Sequence, residues 1–210
     1  MIKVEDIQVF NFEGAVRGMR NPLNSWAQSD SFVSSQDAYG NDVVIGRKDL
    51  DLMRRLYKAG NEHRKYLRQI FVSIDITAPL YWWKEFDTYK IGTTANSCST
   101  MHKIADKDFE LSDFSTEHLS GSSLAVFNKV IDELNYWRHC YLPQKNKVCW
   151  WQLIQLLPSS YNQKRTITMN YENVMQMIHQ RTGHKLDEWN EFIKILKKLP
   201  YIKEIMDVEE

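Results

Sequence analysis

His63, Arg64, Lys65 and Arg68 fall together in HRKYLR and form a local cationic cluster in a chain of zero formal net charge. Such a group suits contact with an anion or a cofactor. Cations at a helix end also answer the helix dipole, so on composition both readings stand. The stretch EFDTYKIGTTANSC, Glu85 to Cys98, is a second candidate. Lys90, Thr93, Thr94, Asn96, Ser97, Cys98 and Ser99 gather short hydroxyl and amide side chains around Gly92. That suits a loop approaching phosphate or a polar ring, and equally an ordinary polar turn. The glycine spacing and following lysine of a Walker loop are absent. Cys98 reads as a buried, inert thiol or as a reactive one. Arg181 closes an apolar run of Val174, Met175, Met177 and Ile178. It offers either a cation for a helix C-terminus or a planar fork for a carboxylate, phosphate or pyrimidine edge. His184 has the same two readings. Trp82, Trp83, Trp150 and Trp151 read as core, with ring stacking as the alternative. No Ser-His-Asp set, paired catalytic carboxylates or metal-ligand spacing stands out.

These residues need elements to position them. IQVFNF near the N-terminus predicts a strand, although the apolar parity slips midway through MIKVEDIQVFNF. AVRGMRNPLNSW reads as a loop or short helix broken at Pro22, and SSQDAYGNDVVIG as a turn-rich connection. Asp49 is a candidate cap for a helix through LDLMRRLYKAG, with Gly60 as its stop. RQIFVSIDITAP is the clearest strand, because Ile70, Val72, Ile74 and Ile76 fall at period two. LYWWKEFDTYKI then predicts a helix, followed by a long one from about Ser122 to Tyr141 and another in KVCWWQLIQLLP that ends at Pro158. YNQKRTITMN predicts a short strand. Asn170 is a candidate cap for YENVMQMIHQRTG, ending at Gly183, and KLDEWNEFIKILKKLP gives a last amphipathic helix. The expectation is a single α+β domain over residues 1–210, dominated by helices.

Composition narrows the function classes. The 210 residues are 43% hydrophobic and 26% charged, with only 8 Gly and 5 Pro, which supports a globular core. Zero net charge argues against a general nucleic-acid binder but not against a nucleotide-sized anion. Cys98, Cys140 and Cys149 are too few and too scattered for a disulfide framework or a zinc site. No leader-like start and no run near the ~18 apolar residues of a membrane span is present, so a cytoplasmic protein is expected.

Taken in order, the segments resemble the flavin-dependent thymidylate synthases, the ThyX family. HRKYLRQIFVSIDITAPLYWWKEFDTYKIGTTANSC is similar to that family's first block, and TITMNYENVMQMIHQRTGHKLDEW to its second. The resemblance runs from about Leu50 to Trp189. It implies a ThyX-like fold, helix-rich with a small antiparallel sheet. It also implies FAD as cofactor, with NADPH and methylenetetrahydrofolate as co-substrates for methyl transfer to C5 of a pyrimidine deoxynucleotide such as dUMP, in a homotetramer with sites shared between chains. By the same resemblance His63, Lys90, Asn96, Asn170 and Gln176 would contact FAD. Glu85, Thr88, Cys98 and Arg181 would contact the nucleotide, with Arg181 orienting the pyrimidine.

The family signature R-H-R-x7-S is rewritten here. Its first triplet becomes Thr88, Tyr89 and Lys90, and its Ser becomes Cys98. The family's second His of the first block becomes Gln69, the Arg two places after the signature Ser becomes Thr100, and His184 stands one residue out of register. Each charge-assisted bond lost to a buried phosphate is worth roughly 1.5–3 kcal/mol. Arg64, Lys65, Arg68, Lys84 and Lys103 are the cations near enough in sequence to replace them. The rewriting leaves three expectations side by side: a ThyX-like enzyme, an enzyme of the same fold for another pyrimidine nucleotide, and a non-catalytic nucleotide- or flavin-binding module.

Overall fold

The parity slip in the first strand has a backbone cause. In the computed structural model, which describes residues 2–207, β1 (Lys3–Phe10) carries Asp6 at φ 49°. One left-handed residue inside a strand changes which face the following side chains take. α1 (Phe12–Arg20) follows at once and buries Phe12, Ala15, Val16 and Met19, the i, i+3, i+4, i+7 stripe of an amphipathic helix. Helix thus begins before the AVRGMR segment and ends just ahead of Pro22. Two short strands, β2 (Phe32–Val33) and β3 (Val43–Val44), pair antiparallel with Phe32 opposite Val44.

α2 (Arg47–Lys58) is capped differently from the sequence expectation. Gly46 is its N-cap, and Asp49 lies inside the first turn with its carboxylate buried. That carboxylate accepts from Arg20 Nε at 2.5 Å, from the Ser29 and Ser31 hydroxyls at 2.7 Å each, and from the backbone N–H of Asp30 and Ser31. A charged group with that many internal donors gains more there than at a solvated cap. Gly60, at φ 100°, follows the helix as expected of a stop.

β4 (Phe71–Pro79) turns Ile70, Val72, Ile74 and Ile76 fully inward, as their period of two requires. α3 (Leu80–Phe86) ends five residues earlier than LYWWKEFDTYKI suggested. The Thr88 N–H and hydroxyl both return to Glu85 O, closing the helix end with a side chain. The polar stretch then supplies an exposed strand, β5 (Thr94–Ser97), which the sequence did not advertise, and a short helix, α4 (Thr100–Lys103). After these come α5 (Gly121–Tyr141), α6 (Lys147–Leu156), β6 (Asn162–Asn170), α7 (Tyr171–Arg181), α8 (Asp187–Leu196) and α9 (Ile202–Met206). The main sheet has the order β1-β4-β6-β5. Tyr171 N–H donates to Ile70 O at one end of the β4–β6 pair and Leu80 N–H to Tyr161 O at the other, so these strands run antiparallel. This is a helix-rich α+β fold with a small antiparallel sheet.

The chain divides into two compact units, with boundaries inside β4, β5 and β6. One is built chiefly from Ile76–Thr88 and Asn96–Arg165. Its core joins α5 and α6 through Ile131, Leu134 and Leu153, with Phe109 and Phe114 beside them. Trp82 and Trp83 are buried in this unit, but Trp151 is 43% exposed and is not core. The other unit comprises Val4–Asp75, Tyr89–Ala95 and the chain from Thr166 on. Phe12, Met53, Leu67, Tyr171, Met177 and Trp189 are all buried there. Among the described residues no helix is long and apolar enough to cross a membrane.

Candidate functional site

α7 organises the second unit's site from both ends. At its start Asn170 caps the helix as expected. Asn173 N–H donates to Asn170 Oδ1 at 3.1 Å and Asn170 N–H returns to Asn173 Oδ1 at 3.3 Å. Asn173 Nδ2 also donates to Ile91 O at 2.7 Å, which ties the polar stretch to the helix start. Gly92 makes this close approach possible. Its φ is +76°, and a Cβ there would lie 2.5 Å from Asn170 Nδ2. Asn170, the asparagine read as a ligand contact, is therefore first a helix cap, and Asn173 is the clamp on the loop.

At the other end, Arg181 Nε donates to the Tyr89 hydroxyl at 3.0 Å, and that hydroxyl donates to Gln180 Oε1 at 3.0 Å. The guanidinium lies 4.9 Å from the Trp189 ring centroid and 5.6 Å from that of Tyr89. Leu186 N–H donates to His184 Nδ1 at 3.1 Å. In a neutral imidazole that places the hydrogen on Nε2, the nitrogen 3.3 Å from Arg181 Nη1. Tyr89, which stands in the rewritten signature, thus orients the arginine instead of adding a cation.

Between these ends α7 carries a polar stripe: Glu172, Gln176, His179 and Gln180. With Tyr57, Asn61, Arg64, Leu67 and Met175 they line a cavity of about 440 Å³. Arg64 pairs with Glu172 at 2.8 Å, bonds to the Asn61 side chain, and lies 5.5 Å from the Tyr57 ring centroid. Arg64 Nε and Glu172 Oε2 are buried without a hydrogen-bond partner. The amide-rich wall fits the donor and acceptor edge of a heteroaromatic ring such as flavin. The only Arg or Lys in the lining, Arg64, already faces Glu172, so this cavity fits the ring of FAD better than its pyrophosphate.

The sequence-derived residues sort by unit. Gln176 and Arg181 lie on α7 and Asn170 caps it, with Lys90 exposed on the loop clamped to its start. Only Gln176 among them lines the cavity. His63 is exposed in the turn after α2, while its neighbours Asn61 and Arg64 form the wall. Glu85, Thr88, Asn96 and Cys98 belong to the other unit. Cys98 is exposed, not buried, and lines a separate cavity of about 370 Å³ with Lys103, Asp113 and Tyr161. Its backbone is fixed by Cys98 N–H to Lys164 O at 2.9 Å and by Gln163 Nε2 to Cys98 O at 2.8 Å. Burial, then the nearby Asp113 and Cys98, push the Tyr161 phenol up from its ordinary range. Glu172, Gln180 and Tyr57 were not singled out as site residues from the sequence, and Tyr89 was noted only as a replacement in the signature. The spacing of Glu172, Gln176, His179 and Gln180 opposite the apolar face of α7 was the available signal.

No protein-family model matches this chain, and no curated protein matches it in sequence. Solved structures do. Flavin-dependent thymidylate synthase ThyX from Helicobacter pylori, complexed with FAD and dUMP, superposes with a TM-score of 0.65 at 18% identity, covering 96% of this chain and 97% of that one. A second structure of that enzyme with FAD and dUMP gives 0.67 at 17% identity, covering 98% and 97%. The UMP/dUMP methylase PolB from Streptomyces cacaoi, bound with 5-Br dUMP, gives 0.64 at 12% identity, covering 94% and 88%. The amide-lined cavity and the ring-held Arg181 therefore sit on a chain that has the ThyX fold along almost its whole length.

Proposed function

We propose that this chain is a ThyX-type flavoprotein that transfers a one-carbon unit to C5 of a pyrimidine deoxynucleotide such as dUMP, with methylenetetrahydrofolate as donor and NADPH as reductant. The observation that carries it is the ThyX fold across almost the whole of both chains, with Gln176 and Arg181 on the one helix that Asn170 caps. Gln176 and Gln180 would hold the flavin ring edge, and Asn170 would act through its cap on Asn173, whose side chain holds the loop at Ile91. His63, Lys90 and Asn96 would meet the rest of the cofactor. Arg181, fixed by Tyr89 and Trp189, would orient the pyrimidine, with Glu85, Thr88 and Cys98 as further nucleotide contacts. Hydride transfer is the chemistry that bound FAD supplies; the protein's part is binding, orientation and electrostatics. A homotetramer with shared sites belongs to the same proposal.

A second reading keeps the fold and changes the nucleotide. It is favoured by the rewritten signature and by a structural neighbour described as a UMP/dUMP methylase. One experiment separates the readings. Purified protein is loaded with FAD and desalted, and its visible spectrum recorded. The reduced flavoprotein is then tested for re-oxidation with methylenetetrahydrofolate and a panel of dUMP, UMP and dCMP. Turnover with dUMP alone supports the first reading, and turnover with UMP or dCMP the second. Failure to retain FAD overturns both and leaves a binding module.

A further inference from the structure

The second unit holds another cavity, of about 420 Å³, walled by α1 and the segment leading into β2. Its lining includes the rings of Trp26 and Phe32, which are 50% and 59% exposed, and the side chain of Val33. Two arginines enter it, and neither is fully engaged. Arg20 is 3% exposed. Its Nε donates to Asp49 at 2.5 Å and its Nη1 to Ser25 O at 3.2 Å, but among the described residues no group accepts from Nη2. Arg17, three residues before it on the same helix and wall, has no ion-pair partner among the described residues, although Glu13 also lines the cavity. With Nε and Nη1 engaged, Nη2 is left to water or a ligand. Apolar walls, a few convergent polar groups and a volume of a few hundred Å³ are the usual make-up of a small-molecule site.

We propose that this cavity binds a small planar monocarboxylate, with its carboxylate on Arg20 Nη2 and Arg17 and its ring against Trp26 and Phe32. Asp49 and Ser25 hold the Arg20 fork in place, so the donor is pre-organised and little side-chain freedom is lost on binding. Glu13 opposes a second negative charge, which selects a monoanion over a dianion. The aromatic walls stack on a flat ring better than on a branched chain. None of these residues belongs to the amide-lined cavity on α7, so this site stands or falls apart from the flavin reading.

Benzoate titrated into the full chain by calorimetry tests it, with benzamide and phthalate as probes of charge. Saturable 1:1 binding of benzoate, at least about tenfold tighter than either comparator, is expected. Arg17→Met keeps the aliphatic stem and should weaken benzoate about tenfold while removing its advantage over benzamide. Val33→Asp, on the exposed wall, should abolish benzoate binding with an unchanged melting curve. Arg20 is left intact in these tests, because its loss would strand Asp49 in the interior. No saturable benzoate binding, equal affinity for benzamide, or affinity indifferent to Arg17→Met would each overturn the proposal.

Discussion

Arg20 and Arg64 each line a cavity of the same unit, about 420 and 440 Å³ in volume, and each pairs with a carboxylate. Their surroundings make them different devices. The Arg20–Asp49 pair is 4% and 0% exposed at its side chains, and Asp49 collects donors from four other groups. The Arg64–Glu172 pair is 26% and 18% exposed and leaves Arg64 Nε and Glu172 Oε2 without hydrogen bonds. A saturated buried pair fixes one geometry, because every alternative strands a charge. A partly exposed pair with atoms that lack hydrogen bonds is able to rearrange when a ligand arrives, and Arg68, 3.8 Å from Glu172 Oε2, already stands beside it as a second cation. The satisfaction of the carboxylate partner thus tells an arginine held in one geometry from one able to rearrange.

The largest effect should come from the buried pair. Asp49→Asn leaves Arg20 in the interior against a neutral amide and should cost about 3–5 kcal/mol, read from the urea midpoint. A loss under about 1 kcal/mol, the level of a surface pair, would erase the distinction. Acid gives the same test without mutation. Burial raises the Asp49 carboxyl, but the hydrogen bonds from Ser29, Ser31, Arg20 and the Asp30 N–H outweigh it and hold its pKa below the ordinary value. A depressed folded pKa contributes stability that is present above the unfolded value, about 4, and lost as pH falls through the folded value. The wild-type chain should therefore lose stability below about pH 4 more steeply than Asp49→Asn. Parallel acid profiles would mean that Asp49 is not the group responsible.

Much of this was legible in the sequence, and what was missed has a common cause. Period-two isoleucines announced β4, the Asn170 cap held, and the order of segments pointed to the ThyX fold. Those are local signals. Asp49 was misread because a carboxylate near a helix start looks like a cap until the distant donors Arg20, Ser29 and Ser31 are placed around it. Tyr89 and Glu172 were passed over for the same reason. Tyr89 acquires its role from Arg181, 92 residues away, and Glu172 from Arg64. Cys98 could be read as a buried or a reactive thiol until the fold placed it, exposed, just after β5. Local chemistry is written residue by residue, while partnership across the chain is written only in the fold.

Arg181 extends the comparison to a third guanidinium, one held over two rings. Under the proposed function Arg181→Lys loses both the fork and the stacking on Trp189. Nucleotide affinity should fall about ten- to a hundredfold, with FAD retention unchanged and stability lowered by less than about 1 kcal/mol. Equal losses of FAD and nucleotide would mean that Arg181 supports the whole site and does not address one ligand.

The smallest effect sharpens the comparison most, because its sign is opposite to that of a structural pair. Glu172→Gln removes the one carboxylate from the amide-lined cavity and keeps its shape. If Arg64–Glu172 were a stability device like Arg20–Asp49, the change would lower stability by several kcal/mol and weaken everything bound nearby. With the pair only partly buried, the expected stability loss is about 1 kcal/mol, well below that of the buried pair. The ligand side should move the other way. Under the proposed function the FAD pyrophosphate would bring negative charge to this unit, and deleting a like charge at a separation of about 8 Å across hydrated space is worth roughly 0.5–1 kcal/mol. FAD should therefore bind about two- to fivefold more tightly to Glu172→Gln, and the gain should shrink in high salt. Flavin fluorescence quenching at two salt concentrations reads both. Weaker binding that salt does not alter would instead place the Glu172 carboxylate in direct hydrogen-bond contact with the cofactor, where its charge serves recognition and not only the positioning of Arg64.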